Sequence, residues 1–165
     1  MLGIFHRHRI IRKPNTKRTI KEIHMDRKAS AIWHGDLKAG NGAITTQSNT
    51  LHDTQYSFKS RFEEGVGTNP EELIAAAHAG CFTMAFANEL AKAGHTATSV
   101  DTTAVVTLEI LPTGPTVTKI HLTNKSEVPG IDKAAFDEIA AGAKANCPIS
   151  KLLAAATITL DATLL

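Results

Sequence analysis

The sequence predicts one α+β domain, with helices gathered on one side of mostly antiparallel strands. Three observations carry this. The expected elements run β-β-β-α-β-β-α-α-β, an order that does not alternate strand and helix as a parallel sheet requires. A clean two-residue alternation runs from Val100 to Ile110 and turns back on itself. One long capped helix, from Asn69 to Gly94, separates the early strands from that hairpin.

Ala29 to Trp33 reads as a short strand, followed by turn signals at His34-Gly35-Asp36 and Gly40-Asn41-Gly42. Ile44 to Gln47 and Tyr56 to Phe62 read as further strands. In the second, Tyr56, Phe58, Ser60 and Phe62 share a face opposite Ser57, Lys59 and Arg61. The helix opens at Asn69, a good N-cap, with Pro70 at its first position and Glu72 completing a capping-box pattern. It is expected to run to about Lys92-Ala93, with Gly94 as its stop. Ala75-Ala76-Ala77, Ala79-Gly80, Ala85, Ala87 and Ala91 make it apolar around most of its circumference, which predicts burial on several sides and room for a partner subunit.

In the hairpin, Val100, Thr102, Ala104, Val106, Leu108 and Ile110 share one face. Pro112-Thr113-Gly114-Pro115 turns the chain, and Thr116 to Asn124 returns. After the break at Pro129-Gly130, Asp132 caps a helix to about Ala145. Asn146-Cys147-Pro148 interrupts it, and a short helix continues to about Ala154. The last strand places Ile158, Leu160, Ala162 and Leu164 inward.

The chain has 165 residues, 42% hydrophobic and 21% charged, which suits one folded domain rather than a disordered chain. Residues 1–26 read as a basic extension and 27–165 as the domain. Residues 1–24 carry seven basic residues against Glu22 alone, a net of +6; the whole chain is +2, so the other 141 residues sum to −4. The domain itself therefore gives no reason to expect a nucleic-acid partner. For the extension, several readings stand: translation starting at Met25, a targeting peptide, a binding tail or a solvated tail. No run is expected to span a membrane. Ile10-Ile11 is broken at once by Arg12-Lys13, so no export signal is read and the cytoplasm is the expected location.

In that compartment the two cysteines, Cys81 and Cys147, are expected as free thiols or a redox pair. No CxxC motif and no histidine pair at helical spacing points to zinc. Cys81 sits mid-helix and reads either as a small buried hydrophobe or as a redox centre. Cys147 precedes Pro148 at a helix start, where backbone N–H groups stabilise a thiolate, so local chemistry makes it the better nucleophile. His78, three residues before Cys81, either tunes that thiol or is a packed core histidine. Glu71 and Arg61 stand out as charges. Glu71 lies ten residues before Cys81, about 15 Å along a straight helix. A bend, or a second subunit, would be needed to bring the two together. Each charge also reads as a surface group or helix cap.

Arg61-Phe62-Glu63-Glu64, the run from Gly67-Thr68-Asn69-Pro70 through His78-Ala79-Gly80-Cys81-Phe82, and Asn146-Cys147-Pro148-Ile149-Ser150 resemble the OsmC family of peroxidases. Trp33-His34-Gly35-Asp36 and Ser99 to Ala104 add to the likeness, which covers about Lys28 to Leu164. The resemblance implies an intertwined homodimer with long central helices, sheets around them, and active sites at the subunit interface. It implies a two-cysteine peroxidase without metal or bound organic cofactor. Cys81 corresponds to the peroxidatic cysteine and Cys147 to the resolving one, reversing the order that local chemistry gives. Arg61 and Glu71 correspond to the charged pair that holds the thiolate. An organic hydroperoxide is the implied substrate, and an external dithiol, such as a lipoyl group, the implied reductant. An apolar wall from Phe82, Phe86 and Ile149 is expected to favour alkyl hydroperoxides. The rival readings are a non-catalytic small-molecule binding protein and a redox sensor on the same scaffold.

Overall fold

The structure, a computed structural model, describes residues 24–165. The readings made for the basic extension fall almost wholly on residues 1–23, outside the described residues. The chain begins with an antiparallel sheet of β1 (Ala29–His34), β2 (Asn41–Thr46) and β3 (Thr54–Ser57), in that order. Gly42, expected in a turn, lies within β2, paired with Trp33 on one side and Tyr56 on the other. A Cβ there would fall 2.4 Å from the Tyr56 ring, so only glycine lets the Trp33 and Tyr56 rings meet across it, 5.2 Å apart.

The strand expected over Tyr56 to Phe62 ends at Ser57, where α1 (Phe58–Phe62) begins. The cause is local. Ser57 Oγ accepts from the Ser60 N–H, and the Ser57 N–H donates to Ser60 Oγ, a reciprocal capping box that draws the backbone out of the sheet. Phe58 and Phe62, two places apart on a strand face, are equally one helical turn apart, and their rings pack 4.9 Å centre to centre.

α2 (Pro70–Lys92) starts at the expected cap, with Asn69 Oδ1 accepting from the Glu72 N–H, and ends just before Gly94, whose φ is +87°. β4 (Ser99–Leu111) and β5 (Gly114–Glu127) form the expected hairpin, longer on its return arm than the sequence indicated. α3 (Lys133–Asn146), capped by Asp132, leads through Cys147 into α4 (Pro148–Leu152), shorter than the expected helix to Ala154. β6 (Thr157–Leu164) joins the hairpin beside β5, in parallel, giving a second sheet of order β4-β5-β6.

The core lies between this second sheet and the helices. Phe82, Phe86 and Leu90 of α2, fully buried at helical spacing, meet Leu122 of β5 and Phe136, Ala140 and Ala143 of α3. Phe86 and Phe136 pack edge to face, 5.2 Å apart. Of the several sides on which α2 is expected to be buried, a single chain fully covers only the stripe through His78, Phe82, Phe86 and Leu90, and Met84 is 76% exposed. One sheet and two helices can cover only one face of it. The expectation that no stretch reaches a membrane span's length and composition is corrected, because α2 meets that measure through its many small residues. It is nonetheless the helix around which the core is built.

Candidate active site

The geometry of α2 and of the α3–α4 junction brings the two cysteines together. Cys81 lies one residue before the buried Phe82, so it borders the face that α2 turns to the core. Cys147 closes α3, its N–H donating to the Ala143 carbonyl at 2.8 Å, and Pro148 after it starts α4 afresh. The two sulfurs stand 3.2 Å apart, both as free thiols. Cys81 is partly exposed, whereas Cys147 is fully buried.

Their surroundings differ. Burial pushes the Cys81 thiol up from its ordinary value; the Ile149 N–H works against this, and the Cys147 sulfur adds to it. Burial also acts to raise Cys147. There it is outweighed by the Ser150 N–H, the Cys81 thiol, the Ser150 hydroxyl and the Ile149 N–H, all favouring the thiolate, and Cys147 is the more acidic of the two. Local chemistry at Cys147 is thus as the sequence indicated, and access runs the other way.

Arg61 and Glu71 form a second pair. Asn69 positions both: besides capping α2, its Nδ2 donates to the Ser60 carbonyl at 3.0 Å, clamping α1 to the first turn of α2. Ser60 Oγ donates to the Thr68 carbonyl, and the Thr68 N–H donates to the Gln55 carbonyl, extending the clamp to β3. Arg61 then faces Glu71 as a fork, with Nη2 at 2.8 Å from Oε1 and Nε at 3.1 Å from Oε2. The Glu71 side chain is 13% exposed and Arg61 35%.

Within one chain the two pairs stay apart. α2 is continuous from Pro70 to Lys92, so Glu71 and Cys81 are separated by about 15 Å of helical rise. The groups that set the Cys81 thiol are its burial, Ile149 and Cys147; Arg61 is not among them.

A family described as "OsmC-like protein" matches residues 63–162, which contain both cysteines and Glu71. The chain belongs to this family. Peroxiredoxin OsmC of Escherichia coli is 51% identical to it over 135 residues, covering 82% of this chain and 94% of that protein. Among solved structures, an organic hydroperoxide resistance protein of Legionella pneumophila superposes with a TM-score of 0.63 at 23% identity, covering 87% of this chain and all of that one. The organic hydroperoxide resistance protein OhrB of Bacillus subtilis gives a TM-score of 0.61 at 23% identity, covering 82% and 98%. These two likenesses bear on the fold, and the α+β architecture is the one that OsmC-like chains share.

The expected apolar wall of Phe82, Phe86 and Ile149 is corrected. Phe82 and Phe86 are fully buried in the core, and Ile149 packs against it. An apolar cavity lies instead at the arginine, with a volume of about 250 Å³, walled by Trp33, Tyr56, Phe58, Phe62 and Pro70 around Arg61. Four of the chain's eight aromatic residues stand there, and that clustering of a scarce residue type in 33–62 was the signal available in the sequence.

His78 does not face solvent beside Cys81. It is fully buried, with Nε2 2.8 Å from Ser150 Oγ and no partner for Nδ1. Sequence reasoning missed Ser150, which lies 72 residues from His78 and carries no motif of its own beyond the Cys-Pro-Ile-Ser run. Among the described residues, no cluster of three His, Cys, Asp or Glu side chains is placed to hold a metal ion.

Proposed function

We propose that this OsmC-like chain is a two-cysteine peroxidase that reduces organic hydroperoxides to alcohols. The observation that carries the reading is the 3.2 Å separation of a partly exposed sulfur, Cys81, from a buried one, Cys147. The name of the E. coli relative, at 51% identity, supports the same activity. Cys81 is the sulfur a peroxide can reach, so it attacks. Its thiolate displaces alkoxide from the distal peroxide oxygen, the alkoxide takes up a proton, and Cys81 is left as a sulfenic acid. Cys147 then attacks the Cys81 sulfur: the S–S bond forms, the S–O bond breaks, and hydroxide leaves as water after taking a proton. An external dithiol, for which a lipoyl group is our candidate, returns both thiols.

Arg61 supplies the positive charge that favours the Cys81 thiolate, and Glu71 holds its guanidinium in place. The length of α2 between Glu71 and Cys81 supports a reading in which these groups act on the Cys81 of a second copy. The bare small-residue face of α2, at Ala76, Ala77, Gly80, Ala87 and Ala91, supports such a homodimer, since helices lined this way approach closely. The aromatic cavity beside Arg61 would then take the organic group of the peroxide.

The test is to mix reduced protein with a small excess of cumene hydroperoxide and follow free thiols and intact mass. Loss of both thiols and of two hydrogens per chain, prevented by Cys81→Ser, is the expected outcome. Thiols that survive unchanged would refute the reading.

A further inference from the structure

Cys147 has a polar neighbourhood that disulfide chemistry alone does not require. His78 and Ser150 are both buried, at 0% and 7% exposure, and their side chains meet at 2.8 Å. Ser150 stands in the first turn of α4, three residues after Cys147 at its N-cap, and its hydroxyl favours the Cys147 thiolate. Two hydrogens can be arranged along this chain in two ways, and the far side of the ring decides between them. His78 Nδ1 is buried without a partner. An orphaned N–H is a rarer and costlier thing to bury than an unused lone pair. The ring hydrogen therefore belongs on Nε2, where it has an acceptor. Nε2–H donates to Ser150 Oγ, and the serine hydrogen is released to point at sulfur.

We propose that His78 and Ser150 are positioning residues for Cys147: a buried relay, imidazole N–H to serine hydroxyl to sulfur, that favours the thiolate form of Cys147 when Cys81 is neutral. This rests on the two-cysteine reading and assigns the relay two moments in its cycle. In the first, once Cys81 has become the neutral sulfenic acid, the relay favours the Cys147 thiolate that attacks it. In the second, the thiolate of the dithiol reductant attacks the more accessible sulfur, Cys81. The S–S bond breaks, the reductant becomes disulfide-bonded to Cys81, and the electron pair leaves on Cys147, the sulfur the relay is built to receive. A thiol of lower pKa is the faster leaving group.

Burial holds His78 below its ordinary pKa, in keeping with a neutral ring that keeps one lone pair unused. The other groups that favour the Cys147 thiolate are the Cys81 thiol from α2 and the Ile149 and Ser150 N–H groups from α4. Lys144, in the last turn of α3, turns to the Ile158 carbonyl at 3.3 Å, and Lys151 is exposed.

The test uses full-length protein carrying Cys81→Ser, which leaves Cys147 as its single cysteine, and titrates that thiol by ultraviolet thiolate absorbance. Adding Ser150→Ala should raise the midpoint by about one pH unit, some tenfold less thiolate at neutral pH, as expected for losing one hydrogen bond to a charged group. His78→Leu should move it the same way. His78→Gln, whose amide N–H can still donate to Ser150, should restore most of the shift, which a merely space-filling role for His78 would not produce. A midpoint unmoved by Ser150→Ala overturns the relay, and so does a His78→Gln variant no better than His78→Leu. No peroxide enters this titration. A protein inert to hydroperoxides would fail the catalytic reading with the relay intact, and an active peroxidase with an unmoved Cys147 would fail the relay alone.

Discussion

Glu71 and Cys81 occupy one uninterrupted helix, with about 15 Å of rise between them, and Glu71 is committed to Arg61 through a two-pronged contact. A group fixed in that way cannot serve the cysteine of its own chain without breaking α2. If the charged pair serves a second copy, two inactive variants should rescue each other. Arg61→Ala mixed and refolded with Cys81→Ser gives a heterodimer in which one Cys81 faces one intact Arg61. Random pairing should then return about a quarter of wild-type peroxidase activity. Activity no higher than that of the separate variants would place each site within one chain.

The aromatic cavity should govern which peroxide is used. Phe58→Ala removes one wall beside Arg61, and losing the contact of this half-buried aromatic costs about 1.5 kcal/mol, roughly 10-fold in kcat/KM. That loss is expected for cumene hydroperoxide, with hydrogen peroxide affected far less because it has no organic group to bury. Equal losses for both substrates would detach the cavity from substrate binding.

Asn69 has two partners, the Glu72 N–H and the Ser60 carbonyl. Asn69→Ala should lower stability by about 1 kcal/mol through the lost cap. Asn69→Asp keeps the oxygen that caps α2 and loses the amide that holds α1. It should retain most of the stability yet lose peroxidase activity, because Arg61 is no longer pinned against Glu71. Thermal melts and rates on the same two variants separate these effects; parallel losses in both would show that the clamp has no bearing on the site.

Acid should loosen the fold through His78. Burial places its folded pKa below the ordinary 6.5. Above 6.5 the ring is neutral in both states and this contribution is fully present; as pH falls below 6.5 the unfolded chain takes up a proton that the folded one resists. Stability is lost from there down through the folded pKa. Urea melts from pH 7.5 to 5.5 should show this loss, and His78→Gln should flatten it. A wild-type profile that matches the variant would remove His78 as the cause.

Much of this was legible in the sequence. The cap at Asn69, the stop at Gly94 and the alternation from Val100 to Ile110 fixed α2 and the hairpin, because each signal is local. Cys81, Cys147, Arg61 and Glu71 were reached through a motif. What could not be read depended on distant partners. Tyr56 to Phe62 alternates as a strand does, and only the Ser57–Ser60 box turns it into helix. β6 looks the same whether it pairs parallel or antiparallel, and its direction follows from the crossover through α3 and α4. The cavity exists because Gly42 lets residues from β1 and β3 touch, and the His78–Ser150 contact spans 72 positions.

Among the described residues, β1, β2 and β3 contribute nothing to the central cluster of buried side chains. They are tied to the rest of the domain through the bridge between Tyr56 and Thr68 and the clamp at Asn69. The thiols therefore stand on one framework and the aromatic wall on another. Changes at Trp33 or Tyr56 can reshape what the cavity accepts without repacking the ground beneath Cys81 and Cys147.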